Sequence, residues 1–262
     1  MFYREIKHTA GIAMLALIGL SGPAALSAES SMTHEPVNNV VLVHGAWADG
    51  SSWHEVIPLL QQAGLHVTAV QNRLTSLKDA DSDVKRALAK QKGPTILVGH
   101  SWSGTTISDV GDDPKVAALV YVAARAPKAG EDFAALQKTF PDTPVRAGVE
   151  KFEGFTTLSE DAYLKYFANG IPTEEAKVLY AEQQPTAATL FSERTTHTAW
   201  QHKPTFYAVS KDDQTISPKF ERFLAKRMDA TTIEVDAGHL SMITKPEQIA
   251  SLILRAAGHT SE

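Results

Sequence analysis

Cysteine is absent from this chain of 262 residues. Its absence excludes a cysteine nucleophile, a thiolate metal site and thiol redox chemistry. No disulfide supports the fold, so an apolar core must hold it together, and a chain of this length is able to bury one. The composition, 43% hydrophobic and 21% charged, is typical of a soluble globular protein.

An excess of basic residues is also lacking. The formal net charge is -5, and lysine and arginine form no stripe along the sequence. Nucleic acid is therefore not an expected partner, because binding to phosphates needs a basic surface.

Apolar runs long enough to cross a membrane are lacking as well. The run over residues 10–20 is too short for a bilayer, and the basic residues Arg4 and Lys7 precede it. Small residues follow at 25–28, which completes the pattern of a signal peptide. We therefore predict a signal peptide over residues 1–28, a periplasmic or secreted location, and no stable membrane insertion after cleavage. The alternative interpretation is a retained anchor helix.

Short runs rich in β-branched residues alternate with segments of helical periodicity across residues 29–262. This alternation is typical of a mostly parallel sheet that carries helices on both faces. We predict one α/β domain whose six strands cover Asn39 to Val43, Leu65 to Val70, Thr95 to Val98, Val116 to Ala123, Thr205 to Val209 and Thr231 to Val235.

The stretch from about residue 125 to 200 interrupts this alternation. It contains five prolines and no clear strand, and residues 159–168 and 173–183 have helical character with plausible N-caps. We interpret it as a helical cap inserted between the fourth and fifth strands. The alternative is a long surface excursion, which is uncommon without a function.

Three polar residues follow three of the predicted strands. Ser101 lies in Gly99-His100-Ser101-Trp102-Ser103-Gly104, Asp213 follows the fifth strand, and His239 follows the sixth. A serine hydroxyl needs a base to take its proton, and that base needs an orienting carboxylate. We predict that Ser101 is a nucleophile, His239 its base and Asp213 the acid. A helix-capping role for Ser101 is the structural alternative.

The acid is ambiguous on sequence alone, because Asp212 and Asp213 are adjacent, and Asp236 is a weaker rival close to the histidine. An oxyanion hole needs two backbone N–H donors, for which Ala46 and Trp102 are the candidates.

Four segments together resemble one known family: His44 to Trp53, the turn around Ser101, Asp213 to Ile216, and Gly238-His239. They are similar to the small α/β-hydrolases related to plant methylesterases and hydroxynitrile lyases. The resemblance implies an α/β-hydrolase fold with a six-stranded sheet, a helical cap, no cofactor and no metal. It also favours Asp213 over Asp212, from the spacing to Phe220.

Two positions bear on the choice between hydrolase and lyase. Similar hydroxynitrile lyases carry threonine at the position of Gly45 and lysine at the position of Leu240, and both departures favour ester hydrolysis. Trp47, Trp102 and Leu240 are the predicted pocket residues, with core packing as the alternative role for the two tryptophans.

The expected function is therefore a serine carboxylesterase that hydrolyses a small or medium ester through an acyl-enzyme. A cofactor-free perhydrolase, or a C–C bond hydrolase or lyase with the same triad, is the alternative of the same fold. A non-catalytic ligand-binding protein is the alternative of another class.

Overall fold

A computed structural model describes residue 1 and residues 37–259 of the chain. The predicted signal peptide therefore lies outside the described residues, apart from Met1. Within residues 37–259, no helix combines the length and apolar character needed to cross a bilayer.

Six parallel strands form the main sheet: β1 (Asn39–Val43), β2 (His66–Val70), β3 (Thr95–His100), β4 (Val116–Val122), β8 (Thr205–Ser210) and β9 (Thr231–Val235). Their order across the sheet is β2-β1-β3-β4-β8-β9. The predicted α/β fold and its six strands are confirmed. In register, Val40 pairs with Ile96 and Val41 with Leu97, so β1 and β3 run side by side through the sheet.

Helices cover both faces of this sheet. The α-helices are α1 (Val56–Gln62), α2 (Leu77–Lys90), α3 (Gly104–Val110), α4 (Phe133–Gln137), α5 (Glu160–Ala162), α6 (Thr173–Ala181), α7 (Pro218–Arg227), α8 (Ser241–Thr244) and α9 (Pro246–Ala256). A π-helix covers Tyr163–Phe167, and 3-10 turns cover Gly50–Trp53, Ser101–Ser103, Pro144–Gly148, Ala188–Phe191 and Ala199–Gln201.

Alternate residues of the central strands enter two separate apolar cores. Val40 and Leu42 of β1 pack in the core that contains α1 and α9, whereas Val41 and Val43 pack in the core that contains α3 and α7. A strand that is buried on both faces has a continuous run of apolar residues, and this run is why the sequence predicts β1.

The segment between β4 and β8 contains three strands that the sequence prediction missed. They are β5 (Val149–Phe152), β6 (Phe155–Leu158) and β7 (Thr186–Ala187), which form a small antiparallel sheet. The prediction of a segment with no strand was wrong, because a two-residue turn at Glu153 and Gly154, both with positive φ, closes a β5–β6 hairpin. The predicted helices near residues 159–168 and 173–183 are present.

Candidate active site

The three predicted catalytic residues meet at the carboxyl edge of the main sheet. Ser101 directly follows β3, Asp213 lies in the loop after β8, and His239 lies in the loop after β9. Their side chains form one line of hydrogen bonds, with 2.8 Å from Ser101 Oγ to His239 Nε2 and 2.6 Å from His239 Nδ1 to Asp213 Oδ2. Because a carboxylate only accepts, the imidazole proton sits on Nδ1, which leaves Nε2 free to accept from the serine hydroxyl.

The turn at Ser101 is sharp and strained. Ser101 has a φ of 55°, a left-handed value that is uncommon outside glycine, and it links β3 directly to a 3-10 turn. The Ser103 hydroxyl donates to the carbonyls of Val43 and His100, both at 2.8 Å, so a serine fits where a glycine is usual in such turns. Glycine is needed at the next position instead, because a Cβ on Gly104 would overlap the Arg125 carbonyl.

The structure separates the two adjacent aspartates. Asp213 is buried, and its Oδ1 accepts from the backbone N–H groups of Thr215 at 2.6 Å and Ile216 at 2.9 Å, which aims Oδ2 at the histidine. Asp212 is exposed. Asp236, the weaker rival, is also exposed and pairs with Lys211. Of the three carboxylates, Asp213 alone contacts the histidine.

Two further buried histidines support this arrangement. His100 Nε2 donates to the backbone carbonyl of His239 at 3.0 Å, and complete burial holds the pKa of His100 well below the usual imidazole range. His44 accepts from the N–H of Asn72 at 3.2 Å and donates to the carbonyl of Gly45 at 2.9 Å. Burial lowers the pKa of His44 to about 4. Both rings are therefore neutral near pH 7 and serve to hold backbone.

A cavity of about 290 Å³ opens beside Ser101. This volume is close to the lower end of the range of small-molecule sites, roughly 300–1,000 Å³. Ala46, Trp47 and Trp102 line it together with Ser101. The N–H groups of Ala46 and Trp102 make no hydrogen bond to another described residue, so both remain available to a ligand.

Trp47 connects the loop after β1 to the small sheet. Its backbone N–H donates to Thr186 Oγ1 and its indole N–H donates to Thr156 Oγ1, both at 3.2 Å. The Trp47 backbone has a φ of 56°, so this loop, like the serine turn, is held in an uncommon conformation. The residue that precedes it is Ala46, one of the two candidate oxyanion donors.

Leu240 lies elsewhere, which corrects its assignment to the pocket. It is buried and lines a separate small cleft with Tyr163 and Leu179. The physical reason is that Leu240 is the N-cap of α8, where the chain turns back into the core after His239.

The sequence model of the alpha/beta hydrolase family matches residues 40–252. The chain is a member of the alpha/beta hydrolase family. This confirms the family predicted from the four motif segments.

Among its relatives, methylesterase 8 of Arabidopsis thaliana is 24% identical over 245 residues, covering 83% of this chain and 88% of that protein. An alpha-hydroxynitrile lyase of Arabidopsis thaliana is 24% identical over 246 residues, covering 82% and 95%. The crystal structure of polyneuridine aldehyde esterase aligns with a TM-score of 0.73 at 16% identity, covering 84% of this chain and 98% of that one. The names of these relatives cover both esterases and a lyase.

The sequence reasoning missed one carboxyl group in this alpha/beta hydrolase. Glu221 of α7 is fully buried, its Oε2 accepts from the N–H of Ser210 at 2.9 Å, and its carboxyl contacts that of Asp213. Burial, and next the charge of Asp213, hold the pKa of Glu221 well above its usual range. In its protonated form Glu221 places no second negative charge beside Asp213.

Proposed function

We propose that this alpha/beta hydrolase is a serine carboxylesterase that acts through an acyl-enzyme. The observation that carries the proposal is the unbroken hydrogen-bond line from Asp213 through His239 to Ser101, at the wall of a cavity large enough for a small ester. Serine, histidine and aspartate in this geometry supply a nucleophile, a base and an orienting acid.

Acylation follows from the positions of these atoms. Ser101 Oγ transfers its proton to His239 Nε2 and forms a bond to the ester carbonyl carbon, whose oxygen takes the electron pair. The N–H groups of Ala46 and Trp102 bind that oxyanion. When the carbonyl re-forms, the bond to the alkoxy oxygen breaks, and His239 gives its proton to the departing alcohol.

Deacylation repeats the same steps with water. Water transfers a proton to His239 as it attacks the acyl carbon, and the oxyanion is bound by the same two N–H groups. Ser101 Oγ then leaves and regains its proton from His239, which releases the carboxylic acid. Throughout, Asp213 keeps the ring orientation and stabilises the imidazolium.

The first test compares two serines of the same turn. Ser101→Ala is expected to lower turnover of p-nitrophenyl acetate by roughly 10⁴-fold or more with the fold intact. Ser103→Ala is the matched control, because it removes a buried hydroxyl two residues away that bonds only backbone carbonyls. A Ser101→Ala variant with near wild-type turnover would overturn the nucleophile assignment.

Covalent labelling separates an enzyme from a non-catalytic binding protein of the same fold. A fluorophosphonate probe should label Ser101 in the wild type and fail to label Ser101→Ala. A wild-type protein that neither reacts with the probe nor hydrolyses any ester would favour the binding-protein alternative.

Two features argue against cyanohydrin cleavage. A Cβ at Gly45 would lie 2.6 Å from Ser101 Cβ, so a threonine at this position would collide with the nucleophile. Leu240 supplies no charge that could stabilise cyanide and lines a different cleft. We expect turnover of p-nitrophenyl acetate and none of mandelonitrile in one preparation. Mandelonitrile cleavage with negligible esterase turnover would favour the lyase.

We further propose that residues 1–28 are removed during export and that the enzyme acts in the periplasm or outside the cell. The basic residues, apolar run and small residues of that segment support the proposal. Expression in a Gram-negative host should yield, in the periplasm or medium, a protein shortened by this segment, as measured by intact mass. An uncleaved protein retained in the membrane fraction would favour the anchor helix.

A further inference from the structure

The cavity beside Ser101 is lined by four basic side chains, and none of the described residues that line it is acidic. The four are Arg125, Lys138, Arg146 and Lys151. The chain as a whole has a net charge of -5, so the positive lining is opposite in sign to the protein that contains it. A local excess of one charge in a cleft concentrates ligands of the other charge.

Arg125 is the innermost of the four. It follows β4, and its backbone N–H donates to the carbonyl of Ser101 at 3.0 Å, so its Cα lies next to the nucleophile turn. The residue is only 6% exposed, whereas Lys138, Arg146 and Lys151 are all exposed. The guanidinium is therefore a charge that has lost most of its water.

The protein compensates this buried charge only in part. One terminal nitrogen of Arg125 donates to the Phe191 carbonyl at 3.3 Å, and the guanidinium lies 4.4 Å from the centre of the Phe133 ring. Its Nε has no hydrogen-bond partner, and no ion pair joins Arg125 to a carboxylate among residues 37–259.

The carboxylate with the largest effect on Arg125 is already occupied. Glu131 raises the pKa of Arg125, but burial has the larger effect and lowers that pKa to about 10, so the group stays cationic near pH 7. Both oxygens of Glu131 accept from Arg227 at 2.9 Å, and one also accepts from the N–H of Lys128 at 3.0 Å. A buried cation without its own anion is destabilising until a ligand supplies the negative charge.

We propose that the natural substrate is an ester that carries a second, ionised carboxylate, which Arg125 binds while the ester carbonyl faces Ser101. The planar guanidinium matches a carboxylate in shape and charge. The remaining walls, which include Trp47, Trp102 and Ile216, suit an apolar chain or ring between the two groups. The exposed Lys138 and Lys151 would draw the anion toward the cavity. This inference rests on the proposed esterase function.

The test compares esters that differ in one charge. Monomethyl adipate and dimethyl adipate share a length and a scissile methyl ester, and 4-acetoxybenzoate and phenyl acetate place the charge on the alcohol side instead. Initial rates of acid release give kcat/KM for each. We expect the anionic member of at least one pair to be preferred by about tenfold or more, as for a hydrogen bond to a charged group. No preference in either pair would overturn the proposal.

Two arginine variants assign the preference to the buried group. In Arg125→Met the ratio of kcat/KM between the anionic and neutral esters should fall by roughly tenfold to a hundredfold, and Arg125→Lys should keep part of it. Arg146→Met is the matched control, because that arginine lines the same cavity but is exposed and already pairs with Asp142 at 2.9 Å. An unchanged ratio in Arg125→Met, or an equal fall in Arg146→Met, would overturn the role of Arg125.

A binding measurement separates this inference from the esterase proposal. The adipate dianion should raise the Tm of Ser101→Ala and should not raise that of Ser101→Ala combined with Arg125→Met. An equal shift in both proteins would count against Arg125. If the esterase proposal itself is wrong, the result is different: the wild type turns over no ester and is not labelled by the fluorophosphonate.

Discussion

Gly45→Ala is predicted to disable the enzyme by moving the nucleophile. The added Cβ would lie 2.6 Å from Ser101 Cβ, 3.0 Å from the His100 carbonyl oxygen and 3.2 Å from Ser101 Oγ. Carbon atoms in contact are normally about 3.5–4.0 Å apart, so the closest of these distances is short by about 1 Å. The His100 oxygen belongs to the backbone, and Ser101 Cβ is bonded directly to the Ser101 Cα. Rotation of a side chain therefore moves neither atom and cannot relieve the overlap.

Either the loop at Gly45 or the turn at Ser101 must therefore shift by about 1 Å. A displacement of this size from reacting geometry lowers turnover by about 10²-fold. Overpacking at a buried site also lowers the free energy of unfolding by about 1–3 kcal/mol. We expect kcat/KM for p-nitrophenyl acetate to fall about a hundredfold, measured beside Tm for the same preparation.

Gly64→Ala is the control that separates stability from chemistry. Gly64 lies between α1 and β2, at the amino edge of the sheet and away from the active site. Its φ of 88° is unfavourable for alanine by roughly 1–2 kcal/mol. No atom lies within 4 Å of the added Cβ, so the substitution causes no overlap. This variant should lose Tm and keep its turnover. If Gly45→Ala stays within about threefold of the wild type, the steric argument is refuted.

Three further predictions follow from the carboxyl groups. Asp213→Asn should lower kcat/KM on the order of 10³-fold or more, because the amide favours the wrong imidazole tautomer. Asp212 is exposed, so Asp212→Asn should keep kcat/KM within about threefold of the wild type. The reverse ranking would move the acid to Asp212. Glu221→Gln should leave the inflection of the pH–rate profile in place, because a raised pKa makes Glu221 neutral already; a downward shift of the inflection would mean that Glu221 is ionised. Burial, and next the hydrogen bond to Asp109, raise the pKa of Asp81 to about 8, so stability should be lost progressively as pH rises from about 4 to about 8. Asp81→Asn should reduce this dependence of Tm on pH, and an unchanged slope would contradict it.

The main sheet and the meeting point of the triad were predictable from local sequence. A strand such as β1 is buried on both faces, so every residue is apolar and the run stands out. Parallel strands bring their carboxyl ends to one edge, so Ser101, Asp213 and His239, each placed after a strand, had to lie near one another.

The small sheet was hidden for a different reason. Strands β5 and β6 have four residues each, and most of the side chains of β5 are exposed, so neither shows a strong apolar pattern. The sequence pattern that indicates this hairpin is the two-residue turn Glu153-Gly154, with Phe152 before it and Phe155 after it.

The roles of Glu221 and Arg125 depend on burial, which local sequence does not encode. Glu221 lies in a helix with Lys219 and Arg222, where a charged residue is normally solvent-facing. Arg125 lies in a loop between Ala124 and Ala126. Only the tertiary structure shows that the first contacts the triad acid and that the second lines the cavity.

The two hydrogen bonds of Trp47 constrain how this enzyme can be re-engineered. Thr156 of β6 and Thr186 of β7 belong to the segment inserted between β4 and β8, yet they anchor Trp47, the residue next to Ala46, whose N–H is proposed to bind the oxyanion. Replacing this inserted segment with that of a relative would change the residues that line the cavity. Unless both threonines were kept, it would also release the loop that carries Ala46, one of the two proposed oxyanion donors. The two threonine hydroxyl groups thus couple the choice of substrate to the stabilisation of the oxyanion.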